Sequence, residues 1–413
     1  MSPTEQALSA RSAARALRAS STAERAQALQ RLAAALIERQ DELLAANAAD
    51  VAEGQIAVAE GRMSPALAAR LKLTPGKLAT LAQGVRAIAA MPEPLGRVLA
   101  ARELAEGLVL RQVSSPIGVL LVIFESRPDV LPQVAALALK SGNGLVLKGG
   151  KEATHSNRAL HRVLVEAIAP LPAGCVELVE TRTQIAELLE LDQLIDLVIP
   201  RGSNSLVRHI QSSTRIPVLG HADGVCHVYV DAHADLDRAL DIVLDSKCDY
   251  PAACNAMETL LVHRSVDPAP FVEALRRAGV TVHERPEDWH TEYSGLECAL
   301  RVVDDMDHAI EHIHAYGSGH TEVIVTRDPV AAERFLEQVD SACVFHDCSS
   351  RFADGYRFGL GAEVGISTAR VHARGPVGIE GLLTTRWILR GRGQRVAPFS
   401  SGEAAFTHRE LEV

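Results

Sequence analysis

Apolar residues in the first ninety positions recur at helical spacing. Leu29, Leu32, Ala33, Leu36 and Ile37 form a stripe at i, i+3, i+4 and i+7 that needs a surface to lie on, and Ser21 with Glu24 makes a capping-box pattern ahead of it. That stretch predicts a helical layer. From Arg97 the period shortens to alternations over 98–104 and 108–113, with Glu106-Gly107 as the turn of a two-stranded hairpin. An isolated hairpin is marginal, so a partner strand outside its own domain is implied. The run 118–124 is continuously apolar, as in a parallel strand buried on both faces. A helix to Lys140, a turn at 141–144 and a second buried strand at 145–147 follow it, and Lys148-Gly149-Gly150-Lys151 opens the next helix. The alternation continues with strands at 176–179, 197–200 and 216–219 and helices at 184–190 and 203–211, which predicts a doubly wound sheet with a ligand crevice at the carboxyl ends of its strands. From about Val225 a second α/β alternation has strands at 227–230, 259–263, 302–303, 323–326 and 342–345, and a last strand at 384–389.

With 413 residues, 47% hydrophobic and 23% charged, the chain suits two or three packed units. The net charge of -10, with both signs interspersed, argues against nucleic acid and for small molecules and copies of the chain itself as partners. No basic-then-apolar leader opens the chain and no apolar run reaches bilayer length, so the expectation is a cytoplasmic protein without a membrane partner. Seven cysteines without paired zinc-type spacing fit reduced thiols.

One of them stands out by its setting. Residues 245–263 run from the end of an amphipathic helix to the start of a strand, and between them Pro251 blocks helix continuation and leaves Cys254 on a short loop. A thiol there is a candidate nucleophile, although a free cysteine alone is more often a small buried hydrophobe. Phosphate-binding signatures are missing: no strand is followed by Gly-x-Gly-x-x-Gly, and Gly149-Gly150-Lys151 lacks the other residues of a P-loop. Lys148 and Lys151 read either as a solvated loop or, beside a helix start, as a seat for a phosphate. His308, His312, His314 and His320 invite a metal reading, since His308 and His312 share a helix face, but no carboxylate–histidine motif stands out, and the expectation is a solvated helix face and no metal. A glycine-rich stretch, 358–382, permits close backbone approach and carries His372 and Arg374.

Taken together, Pro251-(x2)-Cys254-Asn255-(x2)-Glu258-Thr259-Leu260-Leu261-Val262, the Lys148-Gly-Gly-Lys151 turn, Pro200-Arg201-Gly202-Ser203-Asn204 and the glycine-rich stretch resemble the gamma-glutamyl phosphate reductases, a branch of the aldehyde dehydrogenase superfamily. The resemblance implies an aldehyde dehydrogenase-like α/β fold: a cofactor-binding domain (1–96 and 114–225), a catalytic domain (226–380) and a small β oligomerisation flap (97–113 and 381–413). Its last strand would pair with the hairpin across a subunit boundary in a dimer or larger homo-oligomer. It also implies reduction of L-glutamate 5-phosphate to the semialdehyde for proline synthesis, with glutamate 5-kinase as a coupled partner. Cys254 would be the nucleophile and the Asn255 amide a candidate oxyanion donor. Lys148 and Lys151 would take the adenosine ribose or its phosphate, favouring NADPH, and Gly202 and Ser203 the pyrophosphate. Arg127, Arg201, His372 and Arg374 are the candidates for substrate anions. The glutamate that precedes Leu-Gly-Gly in hydrolytic relatives is missing from the corresponding Val218-Leu219-Gly220-His221. Alternatives are a CoA-acylating aldehyde dehydrogenase and a catalytically silent protein of the same fold.

Overall fold

The computed structural model describes residues 1–180, 183–221 and 223–413. They divide into two compact units, one of residues 1–202, 210–218 and 378–413, the other of residues 203–209 and 219–377.

The first unit opens with helices α1 (Pro3–Ala19), α2 (Thr22–Glu38), α3 (Gln40–Ala59), α4 (Pro65–Leu71) and α5 (Pro75–Ala90). Ser2 and Ser21 both close capping boxes, with Glu5 and Glu24 reaching back to the cap N–H. The stripe anticipated on α2 is buried at Leu29, Leu32, Ala33 and Leu36, each leucine contributing about 1.5–3 kcal/mol. Next come β1 (Val98–Ala105) and β2 (Leu108–Pro116), joined at Gly107 with φ +67°. They lead into β3 (Val119–Phe124), α6 (Val130–Lys140), β4 (Gly144–Lys148), α7 (Thr154–Ile168), β5 (Val176–Val179), α8 (Thr183–Leu189) and β6 (Leu197–Arg201). The last four strands make a parallel sheet in the order β5-β4-β3-β6, with β3 and β4 buried at every position. The strand expected at 216–219 is reduced to one bridge between Val218 and Val198. Pro217 explains this, since it accepts from the Val198 N–H at 2.9 Å but has none to give.

After α9 (Asn204–Ser213), the second unit holds β7 (Cys226–Val230), α10 (Leu236–Cys248), β8 (Met257–His263), α11 (Ala269–Arg277), β9 (Thr281–His283), β10 (Glu297–Val303), α12 (Met306–Tyr316), β11 (Thr321–Val325), α13 (Pro329–Gln338) and β12 (Cys343–His346). Its sheet is parallel throughout, in the order β12-β11-β7-β8-β10-β9, and its two faces pack a core from Val228, Leu260 and Phe271 on one side to Tyr229, Ile310 and Phe335 on the other. A small ribbon, β13 (Gly365–Ser367) with β14 (Gly375–Val377), follows.

The chain ends in the first unit with β15 (Leu383–Arg390), α14 (Ala397–Ser401) and β16 (Arg409–Leu411). They complete a four-stranded antiparallel sheet, β15-β2-β1-β16. Here the structure departs from the expectation of pairing across a subunit boundary: β15 pairs with β2 of its own chain from Leu383↔Pro116 to Arg390↔Val109. Asn143 sets this up, donating to the Leu382 carbonyl at 2.8 Å and accepting from the Gly118 N–H at 2.8 Å, so that the returning chain starts beside the end of β2. Among the described residues no helix is long and apolar enough to cross a membrane.

The start of α7, just past the Lys148–Lys151 turn, is capped from α3. Buried Asp50 accepts from the N–H groups of His155 (3.1 Å) and Ser156 (2.7 Å) and from the Ser156 hydroxyl (2.5 Å). Replacing it strands two helix-end donors. Asp50→Ala is expected to lower stability by about 2 kcal/mol in urea unfolding, with Asp50→Asn less damaging.

Candidate active site

The loop 249–256 spans the gap between α10 and β8, and both of its ends are pinned by one ion pair. Lys247 lies in the last turn of α10 and Glu258 is the second residue of β8; both are fully buried, with Nζ 3.0 Å from Oε2. The Tyr293 N–H adds a 3.1 Å bond to the same oxygen. Burial pushes the Glu258 carboxyl up to about 7 despite the opposing pull of Lys247. Asp249 pairs with Arg351 (3.1 Å) and Arg357 (3.2 Å), which hold its carboxyl below the usual range.

Inside the loop the anchors are made to backbone or to Asn255. The Asn255 amide donates to the Ala353 carbonyl at 2.8 Å, and the Asn255 carbonyl accepts from the Ser350 hydroxyl at 2.6 Å. The Cys254 carbonyl accepts from the Cys226 thiol at 3.2 Å. Gly224 lies against the same residue: a Cβ there would come within 2.6 Å of the Cys254 Cα and 2.7 Å of its Cβ. Only glycine leaves room for the Cys254 loop.

Cys254 precedes β8, His221 precedes β7 and His320 precedes β11, three strands adjacent in the order β11-β7-β8. Their amino ends therefore converge. The Cys254 sulfur and one ring nitrogen of each histidine lie within 4.8 Å of one another, and the two rings meet edge to face at 4.9 Å. His221 Nδ1 donates to the Ile366 carbonyl at 2.9 Å, and His320 Nδ1 bonds the Thr321 hydroxyl at 2.8 Å. His320 is fully buried and its Nε2 has no hydrogen-bond partner among the described residues. Sequence reasoning missed both: His221 was noted only where a glutamate is lacking, and His320 was grouped with other histidines. The signal was their common position just before a buried strand. Burial raises the thiols of Cys175 and Cys298 to about 12 and of Cys343 to about 11, so these cysteines pack as hydrophobes.

The remaining candidates fall into two groups. Arg127, Lys148, Lys151, Arg201 and Gly202 follow the carboxyl ends of β3, β4 and β6 in the first unit, where β6 joins the sheet on the side opposite to β4 and β5, a topological switch point. Glu152 ties two of these turns together, accepting from the Ser126 N–H (2.6 Å) and hydroxyl (2.8 Å) and holding Ser126 at φ +44°. Arg127 is exposed and makes no ion pair among the described residues; Lys151 is also exposed, whereas Lys148 is buried with its ammonium on the Gly149 carbonyl. The α7 N–H groups beside them are spent on Asp50. Ser203, assigned to the second unit, sits before α9 with its hydroxyl 3.1 Å from that of Ser205.

In the second unit, His372 is exposed at φ +69°, and Arg374 is clamped by Asp340, Nη1 to Oδ1 at 2.6 Å and Nη2 to the carbonyl at 3.0 Å. Arg370 pairs with the same carboxylate, and Asp340, Arg370 and Arg374 border a cleft of about 380 Å³ with Ser318, Ser341 and Thr368. Of the other histidines in the sequence cluster, His308 and His312 serve Arg301, whose guanidinium donates to His312 Nδ1 at 2.6 Å and His308 Nε2 at 3.0 Å, while His314 Nε2 accepts from the Asp340 N–H at 3.2 Å. Burial, with His227 and Arg301 nearby, pushes His312 down to about 3, which keeps it a neutral acceptor.

Residues 4–296 match the model of the aldehyde dehydrogenase family. The chain is 50% identical over 422 residues to a gamma-glutamyl phosphate reductase of Synechococcus sp., covering 97% of this chain and 93% of that one. It belongs to the gamma-glutamyl phosphate reductase branch of the aldehyde dehydrogenase family. A solved gamma-glutamyl phosphate reductase from Thermotoga maritima superposes on this member with a TM-score of 0.91 at 36% identity, covering 96% of this chain and all of the other. The family also meets larger proteins: the chain is 53% identical over 430 residues to delta-1-pyrroline-5-carboxylate synthase 1 of rice, all of this chain but 59% of that protein's length. The fold and branch expected from the sequence are those found.

Two substitutions test how this family member holds its loop. Gly224→Ala is expected to displace Cys254 and cut its alkylation rate by iodoacetamide at least about tenfold while the circular dichroism stays native. Between about pH 4.5 and 7 the folded state keeps the Glu258 proton that an unfolded carboxyl releases, so stability falls as pH rises through that window. Thermal unfolding is expected to show this decline in the native chain and a flatter profile in Glu258→Gln.

Proposed function

We propose that the chain reduces L-glutamate 5-phosphate to L-glutamate 5-semialdehyde and phosphate with NADPH, in the synthesis of proline from glutamate. The observation that carries this reading is Cys254, fixed by its backbone between two imidazoles, in a chain half identical along nearly its whole length to gamma-glutamyl phosphate reductases.

The Cys254 sulfur attacks the carbonyl carbon of the acyl phosphate, the carbon–oxygen bond to phosphate breaks, and a thioester on Cys254 remains. His221 and His320 are the neighbouring groups able to take the thiol proton. The N–H groups of Cys254 and Asn255, unbonded among the described residues, are the donors available to the developing oxyanion, because the Asn255 side chain is spent on the Ala353 carbonyl. Valine at position 218 supplies no carboxylate to activate water there, which favours survival of the thioester for reduction.

Lys148 and Lys151 would hold the adenosine ribose and its phosphate, with Gly202 and Ser203 at the pyrophosphate. Glycine is needed in this turn for packing: a Cβ on Gly149 would strike the Asn157 side chain and come within 3.2 Å of the Phe124 ring. Bound reduced nicotinamide supplies the hydride. Arg127, Arg201, His372 and Arg374 are proposed for the substrate phosphate and carboxylate, Arg374 only by sharing Asp340. Segments 97–113 and 381–413 are proposed as the flap through which copies associate, and a cytoplasmic location with supply of the labile acyl phosphate by glutamate 5-kinase completes the reading.

The reverse reaction tests it. Oxidation of glutamate 5-semialdehyde with NADP+ is expected to require inorganic phosphate, to fall by about 10³-fold or more in Cys254→Ala, and to leave NADPH binding intact in that variant. A rate that ignores phosphate but needs CoA would assign the chain to acylating chemistry instead. Lys148→Ala and Lys151→Ala are expected to raise KM for NADP+ with kcat little changed.

A further inference from the structure

We infer that Cys254, His221 and His320 form a site for a borderline-soft divalent cation, zinc in the first place, which blocks the nucleophile reversibly. Three donors of the right chemistry lie within 4.8 Å of one another. Ligand bonds of about 2.0–2.1 Å to nitrogen and 2.3 Å to sulfur put tetrahedral donors about 3.3–3.6 Å apart, so closure needs an inward shift of up to about 1.5 Å in the widest pair, the size of a side-chain adjustment.

The His221 tautomer is set for it. A carbonyl only accepts, so the 2.9 Å contact with Ile366 makes His221 Nδ1 the N–H and leaves a lone pair on Nε2, the outer-shell arrangement that orients metal-binding imidazoles. His320 Nδ1 is engaged by the Thr321 hydroxyl, and its Nε2 is buried with no partner among the described residues, an unsatisfied atom that presents a lone pair to a cation when Nδ1 carries the proton. Thiolate and imidazole together select zinc or cadmium and reject magnesium. On binding, the sulfur–metal bond forms as the thiol proton leaves to buffer, with no change of oxidation state. The sulfur lone pair is then committed to the cation and unavailable to a carbonyl carbon.

The blocking effect rests on the proposed role of Cys254, whereas the site does not, and the test separates them. Titrating the full chain with cadmium chloride is expected to load one ion and raise a thiolate-to-metal absorption band in the ultraviolet. The band should vanish in Cys254→Ala, and affinity should fall at least about tenfold in His320→Asn and His221→Asn, each checked for native circular dichroism. Zinc chloride should abolish phosphate-dependent semialdehyde oxidation, EDTA should restore it, and millimolar magnesium should do neither. Absence of a Cys254-dependent band, or unchanged affinity in both histidine variants, overturns the site. A full band with undiminished turnover overturns the blockade together with Cys254 as nucleophile.

Discussion

The buried pair Lys247–Glu258 is the constraint on which the Cys254 loop depends. Two opposite charges taken wholly out of water gain little net stability over an apolar pair of the same shape, but losing one partner leaves an uncompensated charge in the core. What the pair provides is position. Its members stand on either side of the eight-residue loop 249–256, one on a helix and one on a strand, so the loop is closed at its base by the strongest kind of contact available in a dry interior. The raised carboxyl of Glu258 records how dry that interior is.

Given a closed base, the loop's course is set by contacts that avoid its reactive side chain. Asp249 is held by two guanidinium groups, Asn255 by Ala353 and Ser350, and the Cys254 carbonyl by Cys226, while Gly224 allows the neighbouring strand entry to approach. The sheet then determines what surrounds the sulfur. Because β11, β7 and β8 are neighbours and parallel, whatever precedes them gathers at one edge, and a residue triplet spread over a hundred positions becomes a cluster.

Much of this could be read along the chain because it is local. The α2 stripe, the capping box, the Gly107 turn, the unbroken apolar run of β3 and the helix–loop–strand setting of Cys254 all follow from spacing and from the habits of proline and glycine. What escaped is non-local. Strand order decides that His320 stands by Cys254 while His308 and His312 turn to Arg301, and no spacing rule distinguishes them. Likewise the α7 N-terminus looked open to a phosphate until Asp50, a hundred residues earlier, was found on it. Pro217 cost the 216–219 segment its ladder although the alternation there was apolar enough for a strand.

The indifference of the loop to its own thiol has an evolutionary consequence. None of the anchors that hold position 254 uses its sulfur, so a single codon change to alanine or serine would leave the backbone trap intact and only the reactivity gone. On the role proposed for Cys254, such a protein keeps its ligands and its shape with no turnover, ready to be recruited as a sensor or a decoy. In this architecture, the ease of losing chemistry and the difficulty of losing form come from the same few bonds.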